Sequence, residues 1–334
     1  MATGQLGGVV NMTQGVTAAI EGAIAEGVVD RDQLGRLMIN ALAARPTLMG
    51  MTLAFEPNQP DGRDAEFIGH PYSDATGRMV PYFARPNGEI IVEQLDMSPE
   101  AGTADWYDTP LRENRNSLVP PYSYTVGGKT VQMTTVSVVL KKGDTPIGIV
   151  TSDLTLDTIA NVIGQFKPFD VGTVELVSNN GLWIASSDPA LIGTPIAPEI
   201  AAALKDTARM EQGMNYVDAN GVQQFVVTKQ MQFAGVPEQW TMIMQVPLAT
   251  IYAGVDNTRN LAIASAGGLA LLVLGLVWLG AGFISGPISK MTAIMRSLAE
   301  GKYDLEVPYQ KGRDELGNMA RAVEVFRENG VKIS

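Results

Sequence analysis

From Asn260 to Ser289 the chain carries no charged side chain. Its densest part, Leu261–Ile284, reads LAIASAGGLALLVLGLVWLGAGFI. As a helix rising 1.5 Å per residue this segment is roughly 36 Å long, enough to cross a hydrocarbon core about 30 Å thick with some tilt. The alternative is a buried core helix, but globular proteins seldom keep so long a run wholly apolar. Arg259 flanks one end, whereas Lys290, Arg296 and Lys302 follow the other. Basic residues collect on the cytoplasmic side of a span, so residues after it are expected inside and residues 1–259 outside. The opening MATGQLGGVVNMTQG has neither a charged n-region nor a continuous apolar h-region and does not read as a signal peptide. An outer location for residues 1–259 then requires an upstream membrane helix or a different start; we expect an upstream helix.

The 334 residues suffice for two or three domains. Residues 1–289 hold 16 basic and 28 acidic side chains, residues 290–334 hold 8 and 7. So acidic a front part argues against a nucleic-acid partner, which needs clustered Lys and Arg to replace counterions. The chain has no cysteine, which excludes disulfides and Cys-type zinc sites. Its one histidine, His70, cannot build a multi-His metal site, and any Ser-His-Asp triad would have to use it. No catalytic motif, metal site or cofactor is expected.

The opening stretch, Val9 to about Ala44, is helical in pattern. Val16, Ile20, Ile24 and Val28 recur every four residues, and Leu34, Leu37, Met38 and Leu42 continue after a break at Asp30–Asp32. Beyond Pro46 come short β-like runs: Met49–Phe55, Val80–Phe83, Glu89–Glu93, Thr130–Val139 and Pro146–Ser152. Turn signals such as Pro86-Asn87-Gly88 and Lys142-Gly143-Asp144 separate them. Leu154–Phe166 reads as a helix. A second set of strands follows at Val171–Val177, Leu182–Ala185, Met214–Val217, Gln223–Gln230 and Trp240–Val246, with residues 195–209 helical. Strands with interspersed helices and no βαβ alternation predict an α+β domain in two lobes, divided near Phe169. After the span, Ile288, Met291, Met295 and Leu298 sit at a/d spacing, and Leu316, Met319 or Ala320, Val323 and Phe326 repeat it beyond a Gly301–Gly312 connector. That pattern predicts two short amphipathic helices able to form a parallel dimer of hairpins.

EPNQPDGRDAEF (Glu56–Phe67), DWYDTPL (Asp105–Leu111), PPYSYTVGGKTVQMTTVSV (Pro120–Val138) and PIGIVTSDLTLDTI (Pro146–Ile159) follow in order. This ordered set resembles the double Cache ligand-binding domain of bacterial methyl-accepting chemoreceptors, over roughly residues 5–255. The segment after the span resembles the HAMP module, with Pro287 at its start and Asp314-Glu315-Leu316-Gly317 opening its second helix. The resemblance implies a long N-terminal helix carrying two PAS-like modules. It places a periplasmic sensor at 1–259 (distal module about 46–168, proximal module about 169–250), a transmembrane helix at 260–285 and HAMP at 286–334.

In the first lobe lie Tyr82, Trp106, Tyr107, Tyr122 and Tyr124, with Asp105 and Asp153. Aromatic faces around a carboxylate suit a cationic nitrogen: the ring quadrupole attracts it and the carboxylate pairs with it. The ligand-binding set expected from this is Tyr82, Trp106, Tyr107, Tyr124, Asp153 and Asp105. The resemblance implies the same place, since the family's pockets use a Trp-Tyr pair and the Asp of the GIVTSD segment, matching Trp106, Tyr107 and Asp153. Core packing is the alternative for each aromatic, and a helix N-cap for Asp153. One departure bears on the ligand. Amino-acid-binding relatives with R-x-W-Y carry an Arg that pairs with the ligand carboxylate, and here that position is Ala104. An amine, quaternary ammonium or amino-acid-like ligand is expected. In the second lobe Trp183, Tyr216 and Asp218 form no converging set.

The resulting expectation is a homodimeric inner-membrane chemoreceptor fragment that passes a ligand signal through HAMP to a kinase-controlling output. The same front end also serves histidine kinases and cyclic-dinucleotide enzymes, and a membrane-tethered extracytoplasmic enzyme is a further alternative.

Overall fold

The computed structural model describes residues 2–98, 102–218, 220–302 and 304–333. The chain divides into two compact units, residues 1–252 and 253–334.

In the first unit two helices open the chain, α1 (Ala2–Ala25) and α2 (Arg31–Ala43). They are separate because Asp30 restarts the helix, its side chain accepting from the backbone of Asp32 and Gln33. Ile20 and Ile24 are buried, whereas Val28, past the end of α1, is exposed.

A first antiparallel sheet holds β1 (Gly50–Phe55), β2 (Pro81–Ala84), β3 (Ile91–Gln94), β4 (Ser117–Val126), β5 (Lys129–Lys142) and β6 (Thr145–Thr155), in the order β3-β2-β1-β6-β5-β4. The short helix α3 (Thr109–Glu113) precedes β4. After β6 comes α4 (Leu156–Gly164). A second antiparallel sheet holds β7 (Thr173–Val177), β8 (Trp183–Ala185), β9 (Met214–Val217), β10 (Gln223–Gln232) and β11 (Gln239–Pro247), in the order β8-β7-β11-β10-β9. Helices α5 (Pro198–Leu204) and α6 (Thr207–Gln212) lie between β8 and β9. Apart from the extra edge strand β3, the two sheets share one strand order. This is the α+β, two-lobed arrangement expected.

One hydrophobic core joins the lobes. Val10 and Ile20 of α1, Leu53 and Val150 of the first sheet, Ile159 of α4, and Leu176 and Ile184 of the second sheet belong to it. The opposite face of the first sheet makes a separate cluster around Tyr82, Trp106, Val119 and Ile149. Alternation along each strand explains the division: Val136 and Val138 go to one side, Val139 to the other.

Two local differences from the sequence reading matter for function. Strand β4 was not expected, because Pro120 and Pro121 cannot donate to a ladder. It forms at the sheet edge, and its register with β5 shifts between Val119 and Tyr122, across the two prolines. Helix α4 starts at Leu156 rather than Leu154, because β6 runs on through Thr155 and the Thr155 hydroxyl caps the helix at Thr158 N, 3.2 Å away.

The long connection between β1 and β2 is held by Arg31, which is 2% exposed. Its guanidinium donates to Asp61 and Asp64, each at 2.7 Å, and to the Gly77 carbonyl at 2.7 Å, and stacks on Phe67. Burial disfavours the charged Asp61 carboxylate, but hydrogen bonds from Arg31 and from the Arg63 backbone outweigh it and hold the group below its ordinary value.

In the second unit, α7 (Leu248–Ala299) continues from the first. Among the described residues it is the one helix long and apolar enough to cross a membrane. Leu261, Leu271 and Trp278 along it are exposed. Its C-terminal part packs on α8 (Glu315–Ile333) through Met291, Leu298, Ala320 and Val323, with Val307 of the connector. Asp314 caps α8, accepting from Gly317 N at 2.9 Å. A Cβ on Gly317 would sit 2.0 Å from the Gly312 carbonyl oxygen, so only glycine lets the connector close onto the helix there.

Arg31→Ala strands two partly buried carboxylates and is expected to cost about 3–5 kcal/mol at neutral pH. Asp61 has a depressed folded value, so its share of stability is present above the unfolded value and disappears as pH falls through the folded one. The cost of the substitution therefore shrinks in acid. Urea denaturation of residues 1–252 at neutral pH and near pH 3 measures both effects. A loss below about 1 kcal/mol at neutral pH would show that the cluster is dispensable.

Candidate functional site

Asp153 lies on β6, between Gly50 of β1 and Thr135 of β5. It is 4% exposed. Its side chain accepts a hydrogen bond from Thr135 Oγ1 at 2.6 Å. That bond uses the one hydroxyl proton of Thr135, so the Tyr122 hydroxyl, 2.7 Å from Thr135 Oγ1, is the donor to it. Tyr122, Thr135 and Asp153 thus form a directed chain ending on the carboxylate. The Tyr82 hydroxyl is close enough to Asp153 to shift its titration but has no hydrogen-bond partner among the described residues. Tyr82 and Tyr124 meet edge to face, with centroids 5.8 Å apart.

These groups line one cavity together with Trp106, Leu95, Met133, Thr52 and Thr151. Strand alternation builds it: Met133 and Thr135, Thr151 and Asp153, and Tyr122 and Tyr124 are each two residues apart and share a face. Trp106 comes from a π-helical turn, Ala104–Asp108, anchored where Ser137 Oγ donates to the Trp106 carbonyl at 2.8 Å. The cavity measures about 20 Å³, close to the room that one water needs. A larger ligand must part its walls.

Of the residues singled out from sequence, Tyr82, Trp106, Tyr124 and Asp153 meet here, and so does Tyr122. Tyr107 and Asp105 do not line the cavity. Successive residues of a helical turn point in different directions, so Trp106 and Tyr107 cannot both face inward. The Tyr107 hydroxyl donates to Glu56 and accepts from Arg78 Nη2 at 2.6 Å, and Asp105 is exposed. The helix-cap alternative for Asp153 fails, because Thr155 is the cap. Thr135, Thr52, Thr151, Met133 and Leu95 were not anticipated. For Thr151 the available signal was its two-residue spacing to Asp153 along β6.

Burial pushes the Asp153 carboxyl up to about 6, with Thr135 and Tyr82 pulling the other way. Burial likewise raises Tyr82 and Tyr122, and takes Tyr124 up to about 12, with the Asp153 charge adding to each. The site therefore presents a poorly solvated carboxyl group ringed by neutral phenols. Among the described residues no Lys or Arg is paired with it.

Residues 34–161 match the family described as the methyl-accepting chemotaxis protein-like, first PDC sensor domain, and residues 279–330 match the HAMP domain. The chain thus carries a chemoreceptor-type PDC sensor domain and a HAMP domain, with one apolar helix between them. Its homologues are methyl-accepting chemotaxis proteins. It is 28% identical over 322 residues to TlpQ of Pseudomonas aeruginosa, an alignment covering 87% of this chain and 44% of that protein. It is 28% identical over 261 residues to McpA of Pseudomonas putida, covering 75% and 39%. The chain spans less than half the length of these relatives. Among solved structures it resembles the extracellular domain of a proposed histidine kinase, mmHK1S-Z3, at TM-score 0.63 and 25% identity, covering 76% of this chain and 92% of that one. Methyl-accepting chemotaxis protein X shares the fold at TM-score 0.60 and 23% identity, covering 72% and 92%.

The titration of Asp153 has a consequence for stability. Its folded value lies above the ordinary 3.8, so its favourable share is complete below the unfolded value and is lost as pH rises through about 6. Asp153→Asn cannot ionise and still accepts from Thr135. It is expected to raise the melting temperature of residues 1–252 at about pH 8, with the gain vanishing towards pH 4. Thermal melts across this range check it. A variant less stable than the parent at about pH 8 would mark Asp153 as a structural residue.

Proposed function

We propose that this chain is the sensing and membrane-crossing part of a chemoreceptor whose distal lobe binds a small molecule with a cationic nitrogen. The observation that carries the reading is the buried Asp153 carboxylate, with one hydrogen bond from Thr135 and an aromatic wall of Tyr82, Trp106, Tyr122 and Tyr124. A buried anion without a counter-charge is costly, and a bound ammonium group offsets that cost while the rings stabilise the cation. The exposed Ala104 leaves no guanidinium there for a ligand carboxylate, which favours an amine or quaternary ammonium over a plain α-amino acid.

The domain boundaries of this reading are a periplasmic sensor at 1–259 (distal module 46–168, proximal module 169–250), a transmembrane helix at 260–285 and HAMP at 286–334, cytoplasmic by the basic residues after the span. The relay is a change of packing in a HAMP homodimer, read by a kinase-controlling output. Within the second unit Ile288, Met295 and Phe326 are exposed although they hold a/d positions, and a second copy of the hairpin would cover them.

The ligand reading is tested by a thermal-shift screen of primary amines, diamines, quaternary ammonium compounds and amino acids on residues 1–252. For the cation that binds, a charge-assisted contact with Asp153 contributes about 1.5–3 kcal/mol. Asp153→Asn should then weaken binding about 10- to 150-fold. Affinity of the parent should fall below about pH 6, as the carboxyl takes up its proton. Unchanged calorimetric affinity in the variant would remove Asp153 from the site.

The chain has no native cysteine, so a single introduced thiol reports on dimer packing without background. Met295→Cys in membranes should form an interchain disulfide on mild oxidation, whereas a cysteine at the exposed, non-seam Arg313 should cross-link far less. Equal cross-linking at the two positions would refute the a/d seam.

A further inference from the structure

The second lobe has a cavity of its own, about 740 Å³ in volume and within the range of small-molecule sites. It opens on one face of the second sheet, where Val177, Thr241 and Gln230 stand opposite one another across β7, β11 and β10. Because the two sheets share a strand order, this cavity and the Asp153 cavity can be compared strand by strand. Each lies on the face turned away from the shared core, but their chemistry differs. The floor here is apolar, from Val177, Ile196, Leu204 and Pro237. The rim carries Arg115, Lys205 and Glu238 with the amides of Asn179 and Gln239.

The state of each charged group decides the ligand class. Both oxygens of Glu238 are occupied, one by Arg115 Nη1 at 2.7 Å and the other by the Leu118 backbone N–H at 2.9 Å. Arg115 spends Nε on Glu113 and Nη1 on Glu238, which leaves Nη2 without a partner among the described residues. Lys205 is exposed and has no ion pair among them, while the adjacent Asp206 is engaged at the start of α6, accepting from Arg209 N. The rim therefore offers donors at Arg115 Nη2, Lys205 and the amides, beside a Glu238 carboxylate whose two oxygens each already accept one hydrogen bond.

We infer that this cavity is a second ligand site, taking a small organic carboxylate. The carboxylate sits at the rim between Arg115 and Lys205, and its short hydrocarbon body lies on the Val177–Leu204 floor. A ligand there touches the junction of the lobes, since Arg115 belongs to the first lobe and Glu238 to the turn between β10 and β11. Strand β11 runs directly into α7, so the site lies on the path to the membrane helix.

The test uses the full chain in lipid nanodiscs, with sodium acetate, lactate and succinate as probes at millimolar concentration and sodium chloride at matched ionic strength as control. Hydrogen exchange read by mass spectrometry should show at least one carboxylate, and not chloride, slowing exchange in 178–181 and 230–241. Lys205→Glu, a change at an exposed position, should weaken that protection at least about tenfold in concentration. The inference is overturned if none of the three carboxylates protects these segments, if chloride protects them equally, or if Lys205→Glu leaves the concentration dependence unchanged.

Discussion

Strand β6 serves two opposite demands because successive side chains leave a strand on opposite faces. At Ser152 it faces α1, where the Ser152 and Thr13 hydroxyls lie 2.7 Å apart. At Asp153 it faces the cavity. Two residues later Thr155 ends the strand and caps α4, which packs against β7 and β8 of the other lobe. A one-residue slip of β6 would exchange the two faces, putting a carboxylate against α1 and removing it from the site. The register is pinned on both sides, by β1 and by β5, so the central strand leaves the edges of the sheet to adapt.

The segments able to adapt are the ones that reach the second lobe. Trp106 and the β4 tyrosines come from opposite sides of α3, and both segments meet at Arg115–Leu118. Glu238 grips that point through Arg115 and the Leu118 backbone. The cavity at Asp153 has room for about one water, so any larger group requires its walls to move. Glu238 stands just before β11, the strand that leads into α7. A second contact, Gln14 Nε2 to the Ala234 carbonyl at 2.9 Å, ties α1 to the same turn. The segment between Trp106 and β4 and the turn before β11 thus share one anchor point, and β11 continues into α7.

Much of this was legible from residue order, and the exceptions share a cause. The apolar run and the a/d pattern could be read because each is a property of a single segment; Met291, Leu298, Ala320 and Val323 are buried as that pattern requires. The aromatic residues and Asp153 could be named, but Thr135, which supplies the one hydrogen bond to Asp153, could not. Its proximity depends on β5–β6 register, and register belongs to two strands at once. Strand β4 was hidden because two prolines argue against any strand, and only its edge position makes them tolerable. Tyr107 entered the expected set through the Trp-Tyr pair that the resemblance implies, and Asp105 as a carboxylate among the aromatics, but neighbours on a helical turn point in different directions from Trp106. The double carboxylate bridge of Arg31 left no local pattern either, since its partners stand thirty and more residues away.

The repeated strand order also shows why the two lobes offer different chemistry from one plan. Asp153 stands three residues before the first residue of α4, and Gln245 stands three residues before the first residue of α7. They are equivalent positions on the last strand of each sheet. Gln245 donates to buried Glu175 at 2.9 Å and accepts from the Tyr216 hydroxyl, and Glu175 also takes the Ser187 hydroxyl at 2.9 Å. An amide at that position meets its hydrogen-bonding needs inside the protein, so the equivalent spot in the second lobe is closed. Asp153 meets its needs only in part, because one hydroxyl does not balance a buried charge. The cleft beside Arg115 and Lys205 lies at the other end of these strands. One strand plan thus carries an under-satisfied carboxylate in the first lobe and a fully bonded amide at the equivalent position of the second.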